Sequence, residues 1–232
     1  MNERVCAIVP AFNEARHIGA LLEGIKKRLE HIIVINDGST DLTASIAVSK
    51  NVRVIQNTSN KGKGNALRQG FDLALKDGYE YIITIDADGQ HDPEEVPRFI
   101  DRISSAGEGT GLVSGNRMTD IEDMPPQRIF FNKLSSKIVS RLCGQSIPDA
   151  LCGYRIISAR ALRSIDLSCN RFDIVPEILI SMSDIGSNIH SIDIKTLYAD
   201  EKSHIRPLRD AYMFCRLIFR KKYQRWIKKQ RS

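Results

Sequence analysis

Several features that would assign a chain to a common class are absent from this sequence. No apolar run approaches the ~18 to 20 residues that a membrane-spanning helix needs, and the N-terminus lacks the basic flank and apolar core of a signal peptide. The five cysteines form no Cys-x-x-Cys pair, and the histidines are too scattered for a zinc site of usual spacing. We therefore interpret the cysteines as reduced thiols, mostly in the core of a cytosolic protein.

Two nucleotide-binding motifs are also missing. No Gly-x-Gly-x-x-Gly follows the first apolar run, which disfavours a dinucleotide-dependent oxidoreductase. Gly62-Lys63-Gly64 lacks the spacing of a Walker motif and the Ser or Thr after its lysine, which disfavours a P-loop enzyme.

The positive charge of the chain is concentrated at one end. With 232 residues, 42% hydrophobic and 27% charged, the composition is that of a soluble globular protein, and the length suits one α/β domain. From Arg209 to Ser232 there are nine Lys or Arg and one acid, Asp210, so this tail carries +8 and the rest of the +6 chain about −2. That is not the pattern of a domain coated for nucleic acid, and we expect no nucleic-acid partner.

Strand and helix patterns alternate through the first half of the chain. The predicted strands are Val5–Val9, His31–Ile35, Val52–Ile55, Tyr81–Ile85 and Leu112–Ser114, followed later by Tyr154–Ile157 and Ile189–Ile194. The predicted helices are Glu14–Leu29, a segment capped by Thr40 or Asp41, Gly64–Leu75, Pro93–Ile103, Arg128–Leu142 and Asp173–Ile185. This order predicts a Rossmann-like α/β fold with a mostly parallel central sheet flanked by helices, whose ligands lie beyond the carboxyl ends of the strands.

The most informative segment is Asp86-Ala87-Asp88-Gly89-Gln90, directly after a buried strand. Gly89 can supply the turn that brings both carboxylates to one place. Two carboxylates and the amide oxygen of Gln90 make a hard oxygen site suited to Mg²⁺ or Mn²⁺. We interpret the neighbouring Asp92 differently, as the cap of the helix that begins at Pro93.

Five motifs together resemble those of the inverting glycosyltransferases of family 2, which have the GT-A fold. They are Val9–Glu14, Val34–Asp41, Asn60–Ala66, Asp86–Gln90 and Asp149–Arg155. Within the family, the Asn-x-Gly-Lys-Gly-x-Ala form and Ser114–Arg117 resemble the dolichyl- or polyprenyl-phosphate mannosyl- or glucosyltransferases most closely. Phe12 stands in place of a usual Tyr, Asn36 in place of a common Asp, and Cys152 where Ser is frequent.

The resemblance implies roles for particular residues. Those that would bind the nucleotide sugar are Pro10, Ala11, Phe12, Glu14, Asp37, Lys63, Asp86, Ala87, Lys202 and Arg206. Asp86, Asp88 and Gln90 would hold the metal with the donor diphosphate, and the catalytic set would be Asp88, Asp149, Arg117 and Arg128. Asp37 would contact the ribose or the base, and Lys202 and Arg206 would close over the diphosphate. Arg117 and Arg128 would clamp an acceptor phosphate. Asp149 would orient the acceptor or act as a base, and Arg155 is as suited to a structural ion pair as to a ligand.

These expectations combine into one hypothesis. Residues 1–205 would form the catalytic domain, which would transfer mannose or glucose from GDP-mannose or UDP-glucose to a polyprenyl phosphate. Residues 206–232 would form a basic amphipathic helix that rests on the cytoplasmic face of a membrane, although docking on the domain or dimer contact are alternatives. The alternative functions are transfer to a saccharide or protein hydroxyl in cell-surface glycan synthesis, and nucleotide-sugar binding without catalysis.

Overall fold

A seven-stranded sheet forms the centre of the protein in the computed structural model, which describes residues 4–122, 124–197 and 207–231. The strands are β1 (Val5–Ala11), β2 (His31–Asn36), β3 (Arg53–Gln56), β4 (Tyr81–Thr84), β5 (Thr110–Asn116), β6 (Arg155–Ser158) and β7 (Asn188–Asp193). The helices are α1 (Ile18–Lys26), α2 (Thr43–Ser49), α3 (Lys63–Lys76), α4 (Val96–Ser105), α5 (Pro126–Cys143), α6 (Ala159–Leu162), α7 (Ile174–Asp184) and α8 (Pro207–Arg231), and a 3₁₀ turn covers Pro93–Glu95.

The strand order β3-β2-β1-β4-β6-β5-β7 confirms the predicted sheet and adds one reversal. All neighbouring strands are parallel except for β6, which runs antiparallel to both β4 and β5. Arg155, at the start of β6, therefore pairs with Thr84 at the end of β4 and with Ser114 near the end of β5. Because β6 begins where β4 and β5 end, the residues just before β6 lie at the edge of the sheet where ligands are expected.

The hydrophobic core lies on both faces of the sheet. Successive side chains of a strand point to opposite faces. In β1, for example, Cys6 and Ile8 pack with α3, α5 and α7, whereas Ala7 and Val9 pack with α1 and α4. All five cysteines are free thiols and four of them are buried, as predicted, while Cys215 is exposed.

The final helix, α8, is docked on the body of the protein by one side. Leu217 and Ile218 are buried in the same core cluster as α3, α5 and α7. Lys221 and Arg225 both reach Asp184 of α7, at 3.7 and 2.6 Å. The tail that the sequence predicts to be helical is thus a helix. The domain boundary at residue 205 stays a prediction. Across the residues that the structure describes, none of the helices is both long and apolar enough to cross a membrane.

Candidate active site

Asp86 lies at the carboxyl end of β4 and is paired with Lys63 from the start of α3. The Asp86 Oδ1 to Lys63 Nζ distance is 2.6 Å, and His91 Nε2 is 3.6 Å from Asp86 Oδ2. Burial alone would raise the pKa of Asp86, but Lys63 and His91 outweigh it and hold that pKa well below its ordinary value. The carboxylate is therefore ionised throughout the physiological range, as a carboxylate that binds a cation must be.

The loop before α3 is fixed by Asp37, which follows β2. Its carboxylate is 3% exposed and accepts hydrogen bonds from the backbone N–H of Lys61 and of Gly62, at 3.0 and 2.7 Å, and from Asn57 Nδ2 at 2.9 Å. The expected contact of Asp37 with the ribose or base stays a prediction. The structure gives the residue another task, because these bonds set the conformation of the segment that delivers Lys63.

A second segment, residues 168–171, presses on the same loop. Gly62 has a φ of +100°, and a Cβ at Gly62 or Gly64 would overlap the backbone of Asn170. The Asn65 N–H also donates to the Asn170 carbonyl at 3.1 Å. The two motif glycines thus allow a close backbone approach. This segment could not be predicted from the sequence, because it lies about 100 residues from the loop and carries no motif.

Two further residues that lie next to the Lys63 ammonium, Phe172 and Gly153, were not predicted from the sequence. The Phe172 ring lies 5.4 Å from the ammonium of Lys63, within cation–π range. A Cβ at Gly153 would come within 2.8 Å of Lys63 Nζ, so only glycine leaves room for the pair with Asp86. Gly153 falls inside one of the five motifs, so its position could have been noted from the sequence, whereas Phe172 gave no signal.

The turn after Asp86 arranges the remaining donor-side oxygens. Gly89 has a φ of +76°, as its predicted turn requires, and the Gln90 N–H donates to Asp88 Oδ1 at 3.0 Å. Asp92 accepts from the Glu94 N–H at 2.9 Å, which confirms it as a helix cap. Ala87 is buried in the core. The residues described contain no group of three or more His, Cys, Asp or Glu side chains placed to hold a metal. The two carboxylates of Asp86 and Asp88 and the amide oxygen of Gln90 are nevertheless hard oxygen donors, of the kind that Mg²⁺ or Mn²⁺ takes together with phosphate and water.

Gln90 connects the acid turn to α5. Its Oε1 accepts a hydrogen bond from Arg128 Nη2 at 3.0 Å. The structure therefore brings the predicted acceptor cation next to the predicted metal site, although the two are 38 residues apart in sequence. The same helix exposes three large apolar side chains just beyond Arg128, namely Phe130, Phe131 and Leu134.

Arg117 and Asp149 form a buried bidentate pair. Arg117 Nε and Nη2 donate to the two Asp149 oxygens at 2.7 and 3.0 Å, and the two residues are 5% and 1% exposed. Burial alone would raise the pKa of Asp149, but Arg117 keeps it below its ordinary value. The two groups are each other's partners in this structure, and their predicted roles stay predictions, a phosphate clamp for Arg117 and orientation of the acceptor or base catalysis for Asp149.

Arg155 is buried and, among the described residues, it is bonded to oxygens of uncharged groups. It is fully buried and donates to the Ala150 carbonyl at 3.1 Å, to Ser114 Oγ at 3.3 Å and to the Val175 carbonyl. Burial lowers the pKa of Arg155 to about 10. These bonds tie the motif of Asp149–Arg155 to α7, which indicates a structural role.

The first two motifs meet at the ends of β1 and β2. The Asp37 N–H donates to the Ala11 carbonyl at 2.8 Å, and the Glu14 N–H donates to Thr43 Oγ1 at 2.8 Å. Pro10 and Phe12 flank Ala11 and are partly exposed at this edge. The structure therefore places the predicted nucleoside-binding residues of β1 together.

Two predicted donor ligands, Lys202 and Arg206, lie outside the described residues. The second described range ends at Leu197, whose N–H donates to the Gln90 carbonyl at 3.1 Å. Just before it, Thr196 forms a β-bridge with His91. The chain is therefore next to the acid turn at residue 197.

The comparisons with known proteins agree with this geometry. The model of the family "Glycosyl transferase family 2" matches residues 6–166. The polyprenol monophosphomannose synthase of Mycolicibacterium smegmatis is 32% identical over 72% of this chain and 66% of its own length. The undecaprenyl-phosphate mannosyltransferase of Micrococcus luteus is 30% identical over 71% and 70%.

A similar fold occurs in a solved enzyme. Glucosyl-3-phosphoglycerate synthase from Mycobacterium tuberculosis, crystallised with Mn²⁺, UDP and phosphoglyceric acid, superposes with a TM-score of 0.74. The match covers 95% of this chain and 78% of that one at 21% identity, so it is evidence for the fold. The fold, the motifs and the family match lead to one conclusion. The chain is a glycosyltransferase and belongs to glycosyl transferase family 2.

Proposed function

We propose that this glycosyltransferase moves a hexose, mannose or glucose, from a nucleoside diphosphate sugar to a polyprenyl phosphate, with inversion at the anomeric carbon and with Mg²⁺ or Mn²⁺. The hydrogen bond between Gln90 Oε1 and Arg128 Nη2 is the observation that carries the proposal. This bond supports the proposal because the Arg128 guanidinium, which would bind the acceptor phosphate, lies beside the turn that would hold the metal-bound diphosphate. The names of the two mannosyltransferase relatives support the same acceptor class.

On the donor side, Asp86, Asp88 and Gln90 are the residues that would hold the metal. Lewis-acid stabilisation of the charge that develops on the leaving diphosphate is the chemistry that the cation supplies when bound. Lys63 sits 2.6 Å from Asp86 and can turn to a diphosphate oxygen, adding a positive charge. Pro10, Ala11, Phe12 and Glu14 would line the nucleoside end, and Lys202 and Arg206 would cover the diphosphate.

On the acceptor side, no general base is required. The second pKa of a phosphate monoester is about 6, so an oxygen of the acceptor is already anionic near pH 7. That oxygen attacks the anomeric carbon, the bond from this carbon to the diphosphate oxygen breaks, and the nucleoside diphosphate leaves with the electron pair. Arg128 orients the acceptor phosphate. Asp149, held by Arg117 with a lowered pKa, is a weak base, which argues against a hydroxyl acceptor.

The tail helix supplies a surface for lipid. Its undocked side exposes aromatic side chains at positions that recur on one face, namely Tyr212, Phe219, Tyr223 and Trp226. Arg216 and Lys222 are exposed on the same helix. Aromatic and basic side chains on one helix are typical of a segment that lies in a membrane interface. We infer that α8 holds the enzyme at the cytoplasmic face of the membrane that contains the acceptor.

The Asp88→Asn variant tests the proposed metal site. Asparagine keeps the oxygen that accepts from Gln90 N–H but removes the charge, so we expect donor binding in Mn²⁺ to weaken by about 10- to 100-fold with the fold intact. Calorimetric titration with GDP-mannose and UDP-glucose, with and without Mn²⁺, measures the binding. Asp92→Asn is the matched control, because it conserves a cap outside the site.

A transfer assay with a short polyprenyl phosphate in detergent then tests the acceptor. We expect product only with the lipid phosphate and the donor that binds. Transfer to a saccharide hydroxyl instead would overturn the acceptor, unchanged turnover by Asp88→Asn would overturn the metal site, and binding without any transfer would indicate a non-catalytic protein.

A further inference from the structure

The tail helix α8 and the segment 168–171 meet at one buried carboxylate, that of Glu177 in α7. This segment packs on the loop before α3, residues 57–62, which we call the donor loop. Glu177 is 1% exposed, and both of its carboxylate oxygens accept hydrogen bonds. Arg220 of α8 and the hydroxyl of Ser168 donate to Oε1, and the backbone N–H groups of Ser168 and Cys169 donate to Oε2. We propose that Arg220 is a positioning residue for Lys63, and that docking of α8 thereby controls the affinity for the sugar donor.

The contact from the tail is an ion pair. Arg220 Nη2 lies 2.6 Å from Glu177 Oε1 and 3.2 Å from Cys169 Sγ. Within the described residues, this guanidinium is the cation paired with Glu177. Without it, the carboxylate would stay buried with its charge uncompensated, which is strongly unfavourable.

The hydrogen bonds from Ser168 and Cys169 to Glu177 fix the segment that packs on the donor loop. Glu177 Oε2 accepts from the Cys169 N–H at 2.9 Å and from the Ser168 N–H at 3.1 Å, and Ser168 Oγ donates to Oε1 at 3.0 Å. These three bonds place the next residue, Asn170, against Gly62 and Gly64.

The chain of contacts ends at the metal-binding acid. Asn170 accepts the Asn65 N–H at 3.1 Å and is also bonded through its side chain to Arg68. Asn65 belongs to the first turn of α3, which begins at Lys63, and Lys63 contacts Asp86 at 2.6 Å. A shift of the segment 168–170 therefore has to move the first turn of α3 or break its contact, since the backbones touch at both glycines.

Other contacts between α8 and α7 do not share this route. Arg225 donates to Asp184 Oδ1 at 2.7 Å and to the Leu142 carbonyl, and Lys221 donates to Ser181 Oγ at 2.8 Å. None of these partners bonds to the segment 168–170 in the part of the chain described. Arg220 and Arg225 thus both dock the helix, but only Arg220 is connected to the donor loop, which makes them a matched pair.

The inference deepens the proposed function, since it concerns the regulation of the same donor site, and its first test does not depend on any ligand. Hydrogen exchange of the free, full-length protein is compared for Arg220→Met and Arg225→Met. We expect Arg220→Met to speed exchange at the Gly62 and Asn65 amides, and Arg225→Met to leave those amides unchanged. Equal exchange of these amides in the two variants would overturn the coupling, whatever the enzyme's substrate.

The second test uses donor binding in Mn²⁺. Networks of this kind alter coupling by about 2- to 30-fold, and we expect Arg220→Met to weaken donor binding and raise the donor KM within that range, with a smaller change in kcat. Arg220→Lys should restore most of the affinity because it returns the charge. Affinity unchanged in Arg220→Met would overturn the inference. Absence of donor binding by the wild-type chain would count against the proposed function, with the exchange result standing on its own.

Discussion

Single side chains at the site differ in what compensates their charge. Asp86 faces a lysine at the ligand-binding edge, whereas Asp149 faces an arginine in the interior. A lysine on a flexible stem can exchange partners, but a bidentate arginine pair is fixed in geometry. The Asp86–Lys63 pair is therefore suited to opening when a ligand binds, whereas the Arg117–Asp149 pair holds β5 and the segment before β6 together.

The buried pair should make the fold sensitive to acid. The ordinary pKa of an aspartate is 3.8, and that of Asp149 is lower in the folded chain. Its stabilising contribution is therefore complete above the ordinary value and is lost as the pH falls through the lower folded value. We expect Asp149→Asn to lower the free energy of unfolding at pH 7 by about 3–5 kcal/mol, measured by urea denaturation.

The control for this prediction removes both charges. Replacing Arg117 with Met together with Asp149→Leu should recover much of the loss, because no uncompensated buried charge remains. The loss of stability as the pH falls below the ordinary aspartate pKa of 3.8 should also be weaker in the double variant. A double variant as unstable as Asp149→Asn would show that shape, and not charge, is what the pair contributes.

The sequence identified these side chains but not their partners. Motif spacing placed Asp37, Asp86 and Arg117 at strand ends, and the structure has them there. The direction of Asp37 depends on backbone N–H groups at Lys61 and Gly62, about 24 residues further on, whose approach no local pattern reports. The positions of these polar residues are therefore predicted well from the sequence, whereas their contacts are not.

Among the strands and helices, prediction succeeded where periodicity was long enough to read. All seven predicted strands are present, each within two residues of its predicted bounds. The four-residue helix α6 was missed because one turn shows no period. The predicted helix from Pro93 is divided into a 3₁₀ turn and α4, and α1 begins at Ile18 instead of Glu14.

Gly62 offers a test of how closely the segment 168–171 packs on the donor loop. Gly62→Ala adds both the strain of a positive φ and overlap with Asn170, whereas Gly78→Ala, at φ +84° with open space around it, adds the strain alone. We expect Gly78→Ala to cost about 1–2 kcal/mol of unfolding free energy, and Gly62→Ala about 1–3 kcal/mol more. Thermal and urea denaturation measure both, and equal costs would contradict the close packing.

In the whole molecule, one side of helix α8 is docked on the body of the protein and the other side exposes aromatic residues. Trp226 is the single tryptophan of the chain and is 58% exposed on that side. We expect its fluorescence to shift to the blue with vesicles that contain phosphatidylglycerol and to shift little with pure phosphatidylcholine, because each nearby Lys or Arg contributes about 1 kcal/mol of attraction. Added salt should weaken the shift.

Phe219→Ser is the variant that separates lipid insertion from charge. The residue is 73% exposed, so the fold should be unaffected, while loss of one inserting ring should lower vesicle binding by about tenfold. No loss of binding would assign the attraction to charge alone, and the tail would then rest on the headgroups without inserting.

The reversed strand β6 has a consequence for the order of folding. Pairing of β1 with β2 joins residues about 25 apart, such as Cys6 and His31, whereas pairing of β6 with β4 joins Thr84 with Arg155. Closing the longer loop costs more entropy and slows the pairing. In pulse-labelled refolding we expect β1 and β2 amides to be protected before those of β6. During synthesis, the part of the sheet made of β1 to β4 would then be formed, with the edge of β4 unpaired, until residues 155–158 leave the ribosome and insert between β4 and β5.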